Sequence, residues 1–114
     1  MSRDLILYLE DIKLACDKIA QYIKGYSFDE FMKDEKTVDA VVRNIGIIGE
    51  ATKKVPANVR RKYSDIEWRK VAGMLDVVIH NYSGVDYHIV WDVAVNEAPK
   101  LSEQISKMVD DFNK

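Results

Sequence analysis

The stretch Trp68–Tyr87, WRKVAGMLDVVIHNYSGVDY, decides the fold, because a helical apolar pattern runs into one of only two histidines in the chain and stops there. Val71, Leu75, Val78 and Tyr82 recur at four-three-four spacing, which places them along one helix face. Asp76 and His80 stand four residues apart, one above the other on a neighbouring face. Ser83 and Gly84 then end or kink the helix. Upstream, Ser64 and Glu67 predict a Ser-x-x-Glu capping box at its start.

Working outward, the preceding segment changes character. Residues 53–70 hold seven basic side chains (Lys53, Lys54, Arg60, Arg61, Lys62, Arg69, Lys70) against Asp65 and Glu67, a local charge of +5 in a chain whose formal charge is −2. The overall acidity argues against a general nucleic-acid coating protein. The basic run has two readings of equal standing: a solvated connector, or a phosphate-facing edge that leads into the His80 segment, since Lys and Arg hold nucleic acid through its backbone. Pro56 separates it from a long helix running from near Thr37 to about Lys54, with Val38, Val41, Val42, Ile45, Ile48, Thr52 and Val55 on or near one face. Gly46 and Gly49 within that helix each cost about 1 kcal/mol relative to Ala, so close helix–helix approach is the expected reason for them. Arg43 and Glu50 are seven apart, about 20° from each other around the helix. They either line one cleft or both face water.

The first helix opens at Ser2 and carries Leu5, Leu9, Ile12, Cys16, Ile19 and Ile23 in a seam, with Asp4, Glu10, Asp11, Lys13, Asp17 and Lys18 toward solvent. Cys16 falls in the seam and is expected to be a buried, reduced thiol. Gly25 ends this helix. Ser27 and Glu30 form another capping box, opening a short turn whose Phe28 and Phe31 cover the core. Beyond the quoted stretch, Asp86 caps a last helix with Ile89, Val90, Val93, Ala94, Leu101, Ile105, Met108 and Phe112 inward, and Pro99 is expected to bend it. Residues 1–114 therefore read as one all-α domain, an up-and-down bundle of four long helices plus short connectors. No apolar run reaches membrane-spanning length and the N-terminus enters a helix rather than a signal peptide, so a cytoplasmic protein is expected.

The phrase Gly73 to Asp86, GMLDVVIHNYSGVD, resembles the signature of the HEPN superfamily, specifically its HepT-like branch of small helical ribonucleases that serve as toxins in toxin–antitoxin pairs. The branch carries Arg, four residues, His, any residue, Tyr, matched here by His80 and Tyr82, with Leu75 where the family has its arginine. Arg43 with Ile48, Gly49, Glu50 and Ala51 matches a second HepT-like phrase, so the resemblance covers nearly the whole chain. It implies a homodimer with the His80 helices at the twofold axis and a metal-independent endoribonuclease that needs no cofactor.

In that chemistry His80 takes and gives protons, Asp76 orients the imidazole or contacts RNA, and the missing arginine would steady charge on the phosphorane. Arg43, Lys53, Lys54, Arg60, Arg61, Lys62 and Arg69 are the candidate RNA-binding residues, the target (tRNA or mRNA) being left open. Tyr82 is the implied site at which a partner minimal nucleotidyltransferase, the antitoxin of a type VII-like system, attaches AMP. Leu75 is either a natural loss of activity or a change made so that a toxic protein can be produced. A second reading follows from Leu75: a noncatalytic helical dimer that binds such a nucleotidyltransferase, or nucleotide. His88 is expected to be structural or superficial, Trp68 and Trp91 to be core or interface aromatics, and two histidines without nearby cysteine give no zinc ligand set.

Overall fold

A computed structural model describes residues 2–79 and 84–113; the side chains of Leu75, Val77, Val78 and Ile79 lie outside that description, as do residues 1, 80–83 and 114. Among the described residues all regular structure is helical: α1 (Arg3–Ile23), α2 (Phe28–Lys33), α3 (Glu35–Lys53), α4 (Ala57–Lys62), α5 (Trp68–Ile79), α6 (Tyr87–Asp92), a five-residue π-turn (Val93–Glu97) and α7 (Ala98–Phe112).

Local chemistry sets most of the boundaries. Ser2 starts α1 by accepting the Leu5 N–H at 3.2 Å, and Gly25 supplies the left-handed φ of +80° that turns the chain out of it. Ser27 and Glu30 form a reciprocal capping box at α2. Asp34 starts α3 two residues before the Thr37 expected from the pattern: one carboxylate oxygen accepts the Thr37 N–H, and the other accepts the Thr37 and Tyr26 hydroxyls at 2.8 and 2.6 Å. These bonds, the Tyr26 one foremost, hold the Asp34 carboxyl below the usual carboxylate range.

Ser64 and Glu67 do not form the expected box at α5. The chain makes a tight turn through Tyr63 to bury Ile66 and Trp68, and the Glu67 carboxylate meets Lys100 Nζ at 3.3 Å instead. Pro99 acts as expected, with a specific form. Lacking an N–H and crowding the carbonyl four residues back, it is preceded by the wider π-turn, in which Ala98 N–H donates to the Val93 carbonyl.

The helices α3 and α7 both pack on α1, and α5 packs on α3. The ion pairs Lys70–Glu97 and Lys100–Glu67, and the Gln104 amide on the Asp65 carbonyl, tie the start of α5 to the region from the π-turn through α7 and close the bundle. Leu9, Ile12, Ile19, Phe31, Val41, Ile45, Ile48 and Ile105 are fully buried at its centre. Truncating one such residue to Ala costs about 2–5 kcal/mol. Cys16 lies in the seam, and burial, with Asp17 adding to it, pushes its thiol up to about 12. Ile89 departs from the inward stripe and is exposed, while Val90 takes the buried position.

Candidate functional site

The site is built on α3 and α5, whose packing brings the end of one beside the middle of the other. Asp76, exposed on α5, meets Lys53 Nζ from the last turn of α3 at 3.5 Å. The Asp76 carboxylate thereby sits with a cation four residues ahead of His80. Both partners are about half exposed, so the pair contributes ~0–1 kcal/mol and its lysine is easily recruited by another anion. His80 and Tyr82 lie outside the described residues, as does the side chain of Leu75.

On the other flank of α3, Arg43, Gly46, Ile47, Glu50, Ala51 and Lys54 form one wall of a cleft of about 360 Å³ whose opposite wall is Tyr8 and Asp11 of α1. Arg43 and Glu50 thus share a cleft. Lys54 Nζ stands 5.5 Å from the centre of the Tyr8 ring, a cation–π contact. Tyr8 and Asp11 escape notice in the sequence because they belong to a different helix from the phrase around Glu50; their one signal is that both fall off the buried stripe of α1.

The remaining basic residues separate into distinct environments. A groove of about 640 Å³ is lined by Arg60, Arg61, Ser64, Ile66, Glu67, Trp68, Arg69 and Lys70. Its cations are not equivalent. Arg60 turns its guanidinium into the protein, donating to the Thr52 carbonyl at 2.7 Å and the Val55 carbonyl at 3.1 Å, so it closes the C-terminal end of α3. Lys70 is held by Glu97 at 2.9 Å, whose hydrogen bond and charge raise its pKa. Arg61 and Arg69 have no ion pair among the described residues, leaving their guanidinium groups available at the groove.

Lys62 lies away from the groove, with its ammonium 5.8 Å from the Tyr63 ring. Arg69 and Asp76 are seven apart on α5, about 10 Å along the axis and 20° around it, so the groove opens onto the same helix face that carries the motif acid. Trp68 forms the groove's apolar floor and anchors it by donating its indole N–H to the Tyr63 carbonyl at 3.0 Å.

The family model for ribonuclease HepT-like proteins matches residues 12–108. The chain belongs to the HepT-like ribonuclease family. Relatives include the "Putative RNase" of Caldanaerobacter subterraneus subsp. tengcongensis, 41% identical over 90% of this chain and 91% of that one. The "Probable ribonuclease HepT" of Thermococcus cleftensis is 39% identical over 89% of this chain and 92% of its own. A "Putative RNase" of Methanocaldococcus jannaschii is 36% identical over 96% and 91%. No solved structure matches the chain.

Within this HepT-like chain His88, the second histidine, stacks on Phe28 with ring centroids 4.4 Å apart and 18° between planes, and Phe28 in turn meets the edge of Trp91. His88 therefore helps hold α2 against α6. Trp91 also packs on Phe31, consistent with a core role for this tryptophan. Among the described residues no three His, Cys, Asp or Glu side chains cluster as metal ligands, and no helix is long and apolar enough to cross a membrane.

Proposed function

We propose that this HepT-like protein is the ribonuclease toxin of a type VII-like toxin–antitoxin pair, acting in the cytoplasm as a homodimer on RNA. The observation that supports the reading is the Lys53–Asp76 contact: a cation of α3 meets the acid that stands four residues before His80 in the sequence, on a helix whose same face carries Arg69. Cleavage of this class begins when His80 takes the ribose 2′-hydroxyl proton. The 2′-oxygen forms a bond to phosphorus, the bond from phosphorus to the 5′-oxygen breaks, and that oxygen takes a proton, leaving a 2′,3′-cyclic phosphate and a 5′-hydroxyl.

Asp76 orients the imidazole or contacts the RNA. Leu75 offers no donor for the phosphorane oxygens, and loss of one such donor lowers the rate by about 10²–10³. Lys53 supplies a point charge without the planar fork of an arginine, so it restores only part of that loss. Tyr82, two residues beyond His80, is the site at which the nucleotidyltransferase antitoxin attaches AMP. An anionic nucleotide there repels RNA phosphates and fills the space beside His80.

The test is cleavage of total cellular RNA, with chelator present, by the protein, its Leu75→Arg form, and Leu75→Arg combined with His80→Ala. The expected result is a rise of at least about 10²-fold on restoring the arginine, and its loss without His80. Inactivity of all three folded proteins sinks the ribonuclease reading and leaves the noncatalytic dimer that binds the nucleotidyltransferase or nucleotide, the reading Leu75 favours.

A further inference from the structure

The cleft between α1 and α3 holds four charged side chains, Asp11, Arg43, Glu50 and Lys54, and none of them forms an ion pair with another described residue. Exposed ion pairs contribute little in any case, so all four head groups are open to an incoming ligand. Along α3 the order is cation, acid, cation: Arg43 and Lys54 stand eleven residues apart, about 16 Å along the axis, with Glu50 between them. Asp11 and the Tyr8 ring face this row from α1, and Gly46, Ile47 and Ala51 form the floor.

The chemistry selects its ligand. Two carboxylates accept hydrogen bonds and donate none, so they match a group that presents adjacent N–H donors. Among the RNA bases guanine alone offers this, with N1–H and the exocyclic amine side by side on its Watson–Crick edge. Its other edge shows the O6 and N7 acceptors that an arginine grips with two bonds. A tyrosine face is a stacking platform for a base, and a lysine at the same end meets the attached phosphate. Lys54 already hovers over the Tyr8 ring through a weak contact and is free to swing onto a phosphate.

We infer that the Tyr8–Asp11–Arg43–Glu50–Lys54 cleft is a guanine-preferring nucleotide subsite, which, resting on the ribonuclease reading, receives one base of the bound RNA away from the motif helix. Glu50 and Asp11 accept from the Watson–Crick edge, Arg43 donates to O6 and N7, Tyr8 stacks, and Lys54 holds the phosphate. Lys53, the neighbour of Lys54 in sequence, faces the other flank of α3 and meets Asp76 there.

The experiment is amide-detected NMR titration of the whole protein with the 5′-monophosphates of guanosine, adenosine, cytidine and uridine. GMP is expected to shift the amides of Tyr8, Asp11 and residues 43–54, and to bind at least about tenfold more tightly than the other three, the discrimination a bidentate contact provides. The double variant Asp11→Asn, Glu50→Gln, isosteric at two exposed positions, should erase the preference while leaving phosphate-driven binding. Equal binding of all four nucleotides, shifts confined to the Arg61–Arg69 groove, or a preference that survives the double variant would each overturn the assignment. GMP binding together with no RNA cleavage by the folded Leu75→Arg form would remove the ribonuclease reading and keep the subsite. Cleavage without guanine preference, together with a silent cleft, would remove the subsite alone.

Discussion

Arg60 and Arg61 are adjacent in a basic run where composition treats them alike, and the structure assigns them opposite work. Replacing Arg60 by Ala removes two charge-assisted hydrogen bonds, to the carbonyls of Thr52 in the last turn of α3 and of Val55 just beyond it, at 2.7 and 3.1 Å. A hydrogen bond to a charged group contributes about 1.5–3 kcal/mol, but this guanidinium is partly exposed and water can reach the freed carbonyls, so about 2 kcal/mol for both together is the expected loss. With an unfolding entropy of about 2.1 cal/mol/K per residue, a domain of this length then melts about 8 °C lower. Arg61→Ala removes no described bond and should leave the melting temperature within about 2 °C.

Salt-dependent binding of a short single-stranded RNA separates the two in the other direction. Arg61→Ala should weaken binding and reduce the slope of log affinity against log salt by about 0.7, one phosphate contact on a single strand. Arg60→Ala, measured well below its melting point, should keep the parent slope. Thermal unfolding by circular dichroism and fluorescence anisotropy supply the two readouts. An Arg60→Ala protein that melts normally but loses about 0.7 of the salt slope would refute the division of labour.

Three further outcomes follow from burial and space. The Thr52 hydroxyl is buried with no hydrogen-bond partner, so Thr52→Val should stabilise the protein by about 1 kcal/mol in a denaturant titration. Gly73 sits inside α5 with nothing within 4 Å of where a Cβ would stand, and Gly73→Ala should add about 0.5–1 kcal/mol; a loss of stability would mean that the position is covered in solution. The Cys16 thiol, pushed up from 9.0 to about 12 by burial, stays protonated in the fold while the unfolded chain ionises near pH 9. Stability should therefore fall as pH rises from about 9 toward 12, and Cys16→Ala should reduce that slope, the raised Tyr26, Tyr63 and Lys70 groups supplying the rest; a thiol reagent at pH 8 should label Cys16 only after denaturation.

The fold was legible in the sequence because its signals are local. The seam Leu5–Leu9–Ile12–Cys16–Ile19 reports helix period directly, and Ser2, Ser27 with Glu30, and Asp86 announce helix starts through bonds that reach two or three residues. The failure at Ser64 and Glu67 is instructive. The box was available, but burying Ile66 and Trp68 outweighed it, and Glu67 found a partner 33 residues away. Ile89 and Val90 are adjacent apolar residues of which only Val90 is buried, a difference that composition does not announce. Clefts formed by two helices were illegible for the same reason in reverse: nothing near Arg43 in sequence points to Tyr8 or Asp11, and nothing in a run of cations says which one faces a carbonyl.

That last distinction bears on how a leucine can stand at the arginine position of a ribonuclease family without dissolving the rest of the design. The cations that hold the scaffold together, Arg60 on the end of α3 and Lys70 on Glu97, are engaged with the protein and respond to folding alone. Arg61 and Arg69 have no ion pair among the described residues, and Lys53 is held only by a half-exposed carboxylate, so an incoming phosphate competes for them at little cost. Under the proposed function, a change at Leu75 acts on transition-state charge, and the scaffold contacts of Arg60 and Lys70 are made elsewhere. On that reading RNA binding and cleavage are separable, and restoring a single guanidinium at position 75 tests whether the remaining side chains serve catalysis.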